Sequence, residues 1–269
     1  MTLQIRNFFQ SRTDGMGSHG REPGTSLMDL VSSEDWKLAH MECDMNPREA
    51  SRWVHRQGFF DGIHDSNVLP LHQACALRPN TEIIEVLIYA YPEGVKSTES
   101  TFHRLPIHVA CQTGASVDVM KVLLDKYGDG SRAKDSLGRL PIHYACSHGA
   151  PLEIIETLLE SFPAAAACPD KNGWLPLHVA CRTGASSPDV IRALIDAFPS
   201  SVLARTKKGS TPLICARKSG EKGLKAVEVL EEALQTNEKH GEVHDLLTGA
   251  ASNATGVGTS PNARHALGA

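Results

Sequence analysis

The chain has 269 residues, 41% of them hydrophobic, and carries 27 Lys and Arg against 31 Asp and Glu, a net charge of −4. That balance provides no broad basic surface, so nucleic acid and anionic membrane are not expected as main partners. No apolar run approaches the roughly 18 residues needed to span a bilayer, and no basic segment followed by an apolar core opens the chain, so a soluble, cytoplasmic or nuclear protein is expected.

Residues 1 to 30 mix Ser, Gly, Thr and Arg without periodicity and read as a flexible leader. Arg6, Arg12 and Arg21 against the single Asp14 leave organellar targeting open. Residues 31–66 read as a helical N-terminal cap. Ser33 is placed to cap a helix through Trp36, Leu38, Ala39 and Met41, and a second helix follows Pro47 with Ala50, Trp53 and Val54 on one side.

From residue 67 a unit recurs to 246. Leu69-Pro70-Leu71-His72-Gln73-Ala74-Cys75 returns as Leu105 to Cys111, Leu140 to Cys146 and Leu175 to Cys181, then in decayed form from Thr211 to Ala216. Its prolines, Pro70, Pro106, Pro141, Pro176 and Pro212, are 36, 35, 35 and 36 residues apart, and a fixed period in the thirties marks a stacked repeat array. Three residues before each proline stand Asn67, His103, Gly138, Gly173 and Gly209, all residue types that enter left-handed turns. The proline fixes φ in the first turn of a short helix. Gly149-Ala150 ends that helix, Pro151 opens a longer one striped by Ile154, Ile155 and Leu158, and Pro163 ends it before an extended return. The fifth unit replaces the His and Cys positions by Ile214 and Arg217, and its charged second helix reads as a C-terminal cap. Residues 247–269 read as a disordered tail.

Each His-x-x-Cys pair puts an imidazole and a thiol one helical turn apart, half of a zinc site. Units stacked at about 8–10 Å hold the pairs too far apart to share an ion, so no metal and no other cofactor is expected. Four of the seven cysteines occupy the same apolar helical position, the usage of a small core residue in a reducing compartment. No nucleophile and base pair, phosphate loop or carboxylate pair stands apart from the repeat, so no catalytic residue is assigned.

The unit resembles the ankyrin repeat, whose Thr-Pro-Leu-His-x-Ala appears here as Leu-Pro-Leu/Ile-His-x-Ala-Cys over about residues 67 to 235. The resemblance implies an all-α solenoid of about five helix-turn-helix units with β-hairpin-like turns. Leu in place of Thr before the proline points to packing under the hairpin. The resemblance also implies that each histidine bonds backbone groups of its own and adjacent turns. It further implies that residues varying between copies line a concave groove: Gln73, Val109, Tyr144 and Val179 after the histidine, with Gln112, His148 and Arg182 beyond the cysteine. Phe102, Arg104, Arg139 and Trp174 lie near the hairpin tips and are implied to line its rim. Val109 and Val179 are open to burial against the next unit, and Phe102 and Trp174 to packing under the turn, whereas Tyr144 is expected on the surface. The function expected is a non-catalytic scaffold or adaptor, monomeric alone, that binds a protein partner. The alternatives are a regulatory subunit or fragment of a larger enzyme or signalling protein, and a metal or thiol-redox protein using the His-x-x-Cys pairs.

Overall fold

The computed structural model describes residues 25–59 and 62–236. The leader before residue 25, the last residues of the expected array (237–246) and the expected tail (247–269) lie outside the described residues.

Helix α1 (Leu27–Ser32) begins within the stretch read as leader, because Ser26 accepts the Asp29 N–H at 3.3 Å and starts it early. Helix α2 (Trp36–Met45) is capped by Asp35, which accepts the Leu38 N–H at 3.1 Å, while Ser33 instead closes α1. The helix expected after Pro47 is also corrected. Pro47–Ser51 form a single 3-10 turn, and Val54–Arg56 (β1) pair antiparallel with Ser66–Val68 (β2), Val54 opposite Val68. The short run of Val, His and Arg lacks a second apolar turn to bury, so pairing its backbone with β2 satisfies it better than a helix would. Asn67 therefore stands in an extended strand opposite His55, not in a left-handed turn.

Five inner helices follow: α3 (Pro70–Ala76), α5 (Pro106–Thr113), α7 (Pro141–His148), α9 (Pro176–Thr183) and α11 (Pro212–Lys218). Between them run the outer helices α4 (Thr81–Ala90), α6 (Val117–Lys126), α8 (Leu152–Ser161) and α10 (Pro188–Ala197), and α12, residues 224–236, stands at the end of the described residues. Inner helices pack on inner helices and outer on outer, giving two rows, with α1 heading the inner row against α3 and α2 the outer row against α4. A helix pair does close the N-terminal end of the stack, but it is α1 and α2 and not the two helices expected from Ser33 and Pro47. Outer helices take side-chain caps where the sequence offers them: Ser116 accepts the Val119 N–H and Ser187 the Val190 N–H.

The core runs continuously between the rows. Ile107, Met120, Leu123, Ile142, Ile155, Leu158 and Leu177 are all buried, and each such side chain contributes on the order of 1.5–3 kcal/mol. Leu69, Leu105, Leu140 and Leu175, standing where the family motif has a hydroxyl, are buried as well, so they pack beneath the hairpins. The expected extended return after each outer helix is instead a 3-10 turn, at Pro92–Lys96, Gly128–Arg132, Pro163–Ala167 and Pro199–Leu203. Its middle residue is small for a reason: a Cβ added at Gly130 would stand 3.3 Å from the Tyr127 ring and 3.5 Å from Ile107.

Hairpins join the units. His103, Gly138, Gly173 and Gly209 hold the left-handed conformation at their tips, with φ between 54° and 78°. The inner helices end on Gly114, Gly149 and Gly184, also left-handed. At Gly149 the Ala185 carbonyl oxygen lies 2.6 Å from where a Cβ would stand, whereas nothing lies within 4 Å of that position at Gly128. Gly149→Ala is therefore expected to lower the unfolding free energy by about 1–3 kcal/mol, and Gly128→Ala to leave it unchanged or raise it by up to about 1 kcal/mol. Urea denaturation midpoints of the two variants check this.

Candidate functional site

The four motif histidines are buried and identically wired. Nδ1 accepts the backbone N–H of the leucine three residues earlier, at 3.3 Å (His72 from Leu69), 3.1 Å (His108 from Leu105), 3.1 Å (His143 from Leu140) and 3.2 Å (His178 from Leu175). Nε2 faces carbonyls of the next unit's hairpin or the chain leading to it. The partners are Arg104 at 3.3 Å for His72, Ala133 at 3.1 Å and Arg139 at 3.3 Å for His108, Trp174 at 3.1 Å for His143, and Ala204 at 3.1 Å and Ser210 at 3.2 Å for His178. An N–H only donates and a carbonyl only accepts, so each ring is the neutral tautomer that carries its proton on Nε2. Burial holds His72, His108 and His143 down to about 4 and lowers His178 as well. The Nδ1 lone pair is already used and Nε2 carries a proton, so these rings have nothing to offer a metal. Among the described residues no group of three or more His, Cys, Asp or Glu could hold one.

The cysteines are equally committed. All seven are free thiols, and six are buried, leaving Cys168 half-buried. Burial pushes Cys146 up to about 12 and raises Cys75, Cys111 and Cys181 too, so the thiolate that redox or nucleophilic chemistry needs is disfavoured.

The position after the histidine departs from expectation. Gln73, Val109 and Tyr144 are only 6%, 1% and 4% exposed, and Val179 is half-buried. These side chains are withdrawn from the surface and do not line an open groove. The Tyr144 hydroxyl donates to the Asp135 carboxylate, and burial together with that bond pushes the phenol up to about 12. The guanidinium groups of Arg104 and Arg139 flank its ring at 4.9 Å and 5.8 Å from the centroid, and the His108 ring meets it edge-on at 5.9 Å. Arg104, expected at the rim, is 5% exposed, with Nε 3.7 Å from an Asp135 oxygen. Arg139 is half-buried, with Nε 3.5 Å from Asp170.

Those two aspartates were missed by sequence reasoning. The other oxygen of Asp135 accepts the N–H groups of Leu137 and Arg139, both at 2.8 Å, and Asp170 likewise accepts from Asn172 and Trp174 at 2.8 and 2.9 Å. The signal was an Asp three residues before each of Gly138 and Gly173, the pattern of a side chain that closes its own turn.

What remains at the surface is smaller and differently composed. His148 and Arg182, in the last turns of α7 and α9, are exposed, and Gln112, Phe102 and Trp174 are half-buried. Trp174 lies edge-on to His178, and Phe102 lies under Arg104 at 4.3 Å. Arg78, not anticipated, holds φ 53° where Gly114, Gly149 and Gly184 stand in the other units. Its Nε donates to the Thr113 carbonyl at 2.6 Å, and its Nη2 stands 3.4 Å from His148 Nε2. The ends of the inner helices and the hairpin tips thus form one face offering guanidinium, imidazole and amide groups for hydrogen bonding.

Each motif histidine binds fewer protons folded than unfolded, where its pKa is the ordinary 6.5. Stability from the neutral rings is therefore full above pH 6.5 and lost as pH falls from there toward 4, by about 1 kcal/mol per ring at pH 5.5. Urea denaturation at pH 7 and 5.5 is expected to show that loss, and His143→Gln to be less stable at pH 7 but to lose less on acidification. A colorimetric thiol reagent is expected to label Cys168 rapidly in the native protein and the other six only as it unfolds.

A scan against protein-family models matches Ankyrin repeats (3 copies) over residues 71–167 and 152–240. A search of curated proteins finds no match. Repeated motif, two-row stack and family match agree over most of the chain, which belongs to the ankyrin-repeat family.

Proposed function

We propose that the protein is a non-catalytic scaffold or adaptor that holds a segment of a partner protein on the face made by its inner-helix ends and hairpin tips. Ankyrin repeats are generally protein–protein interaction modules, and among the described residues no helix is long and apolar enough to cross a membrane. One observation carries the proposal. The residues shared by the four full motif copies are consumed inside the stack: the Leu, His, Ala and Cys of each are buried and bonded or packed. The exposed residues at the ends of the inner helices, Ser147, His148 and Arg182, are ones that differ between copies, with Gln112 half-buried at the same level. A rigid frame with a changeable surface supports recognition, and its buried, protonated thiols and neutral imidazoles do not support catalysis.

The face has a boundary that can be tested. Replacing His148 and Arg182 together by Ala is expected to leave the far-ultraviolet circular dichroism and melting temperature unchanged and to weaken partner capture. Amine-reactive crosslinks to the partner should fall on Lys171, Lys207 and Lys218 and not on Lys121 or Lys126 of α6. Capture that survives the double replacement, or crosslinks concentrated on α6, would show the face to be wrong. Tyr144→Ala is expected to act differently, lowering stability by about 3 kcal/mol or more because it empties a buried site.

A further inference from the structure

The net charge of −4 conceals a segregation. The hairpins, inner helices and the loops closing them (residues 62–80, 97–116, 133–151, 168–187 and 204–223) carry eleven exposed or half-buried Lys and Arg against two exposed acids, Asp65 and Glu221. The outer helices and 3-10 turns (residues 81–96, 117–132, 152–167, 188–203 and 224–236) carry fourteen exposed acids and six exposed Lys and Arg. The acids that do lie in the inner layer, Glu99, Asp135 and Asp170, are buried under the hairpins, where they accept backbone N–H groups. The inner face is therefore positive and the outer face negative, although the whole molecule is slightly acidic.

The cations of the fourth and fifth units are also placed in register. Lys171 and Lys207 occupy the same step of successive hairpins. Each donates its backbone N–H to the hairpin before it, Lys171 to Leu137 at 2.9 Å and Lys207 to Asn172 at 3.0 Å. Each stem crosses the tip glycine of that hairpin: a Cβ added at Gly138 would stand 3.1 Å from Lys171 Cγ, and one at Gly173 would stand 3.4 Å from Lys207 Cγ. With the stems held, the ammonium groups remain exposed. At the far ends of the following inner helices, Arg182 and Lys218 repeat the arrangement.

We propose that the inner face takes an extended, Asp- and Glu-rich segment of a partner protein, with Lys171 and Lys207 along one edge and Arg182 and Lys218 along the other. This rests on reading the inner face as the binding face. Units stacked about 8–10 Å apart match roughly three residues of extended chain, so an acid at every third position meets one unit after another. A nucleic acid strand fits less well, because single-strand binding needs aromatic platforms for its bases, and Trp174 and Phe102 are half-buried against His178 and Arg104.

Fluorescence anisotropy with the full chain and a labelled Glu-rich peptide at low salt tests the proposal. The peptide is expected to bind, to weaken as salt rises, and to lose about 10-fold or more in affinity in the Lys171→Glu, Lys207→Glu double variant. The Lys121→Glu, Lys126→Glu variant of the outer face is expected to stay within about twofold. Absence of binding, or equal losses from the two faces, would overturn it. So would a single-stranded RNA that binds more tightly than the peptide through the same lysines. If the peptide fails while partner crosslinks still map to Lys171, Lys207 and Lys218, the acidic-segment reading falls and the binding face stands. Crosslinks on α6 would remove both.

Discussion

One hydrogen-bonded ring holds this molecule together. The neutral imidazole of each motif accepts the N–H of the leucine just before its own inner helix and donates to a carbonyl of the next unit. The second bond is not available to a unit alone, because its acceptor belongs to the neighbour. The stack is therefore cooperative along its length, each unit completing the polar accounting of the one before. The fifth unit shows the same logic in reverse. It has Ile214 where the ring would be, partly exposed, and no further hairpin follows among the described residues. There Thr211 supplies the cap with its own hydroxyl, accepting the Ile214 N–H at 3.4 Å. A second line of bonds runs along the far ends of the inner helices, where Thr113 donates to the Cys75 carbonyl at 2.7 Å and Ser219 to the Cys181 carbonyl at 3.0 Å. α3 with α5 and α9 with α11 are thus linked at both ends.

On this frame the hairpins gain a rigidity of their own. Asp135 and Asp170 each tie two backbone N–H groups of their turn and face a buried or half-buried arginine, with Tyr144 closing the ladder between them. Buried ion pairs are weak contributors to net stability, since desolvation offsets much of their attraction. Their consequence here is geometric: the hairpin tips, and the lysine stems lying across the glycines, are held at fixed spacing. Recognition of an extended segment depends on that spacing more than on any single contact.

Most of the architecture was legible because it rests on backbone chemistry that few residues satisfy. The proline at the helix start, the left-handed glycines and the recurring Cys in an apolar stripe each announce their conformation. The failures share a cause as well. Tyr144 sits at a variable position and carries a polar group, two signs of a surface residue, yet its partner is an aspartate nine residues earlier on a hairpin whose depth only the stack creates. Asn67 and Val54 read as turn and helix because their pairing partners lie across a connection that sequence periodicity does not see. Ser33 lost its capping role to Asp35, two residues on and equally suited. The segregation of charge between the two faces was hidden for a related reason: both signs are interleaved along the chain and separate only when alternate helices turn to opposite sides.

The central claim is that the motif histidine is a structural link between units, neutral and proton-bearing on Nε2, and not a metal or catalytic group. Nitrogen-15 NMR of the imidazole rings in the full chain, assigned by single histidine replacements, reads that state directly. The account predicts that at pH 5.5 His72, His108 and His143 remain neutral with the proton on Nε2. A ring protonated at that pH, or one carrying its proton on Nδ1, would contradict it.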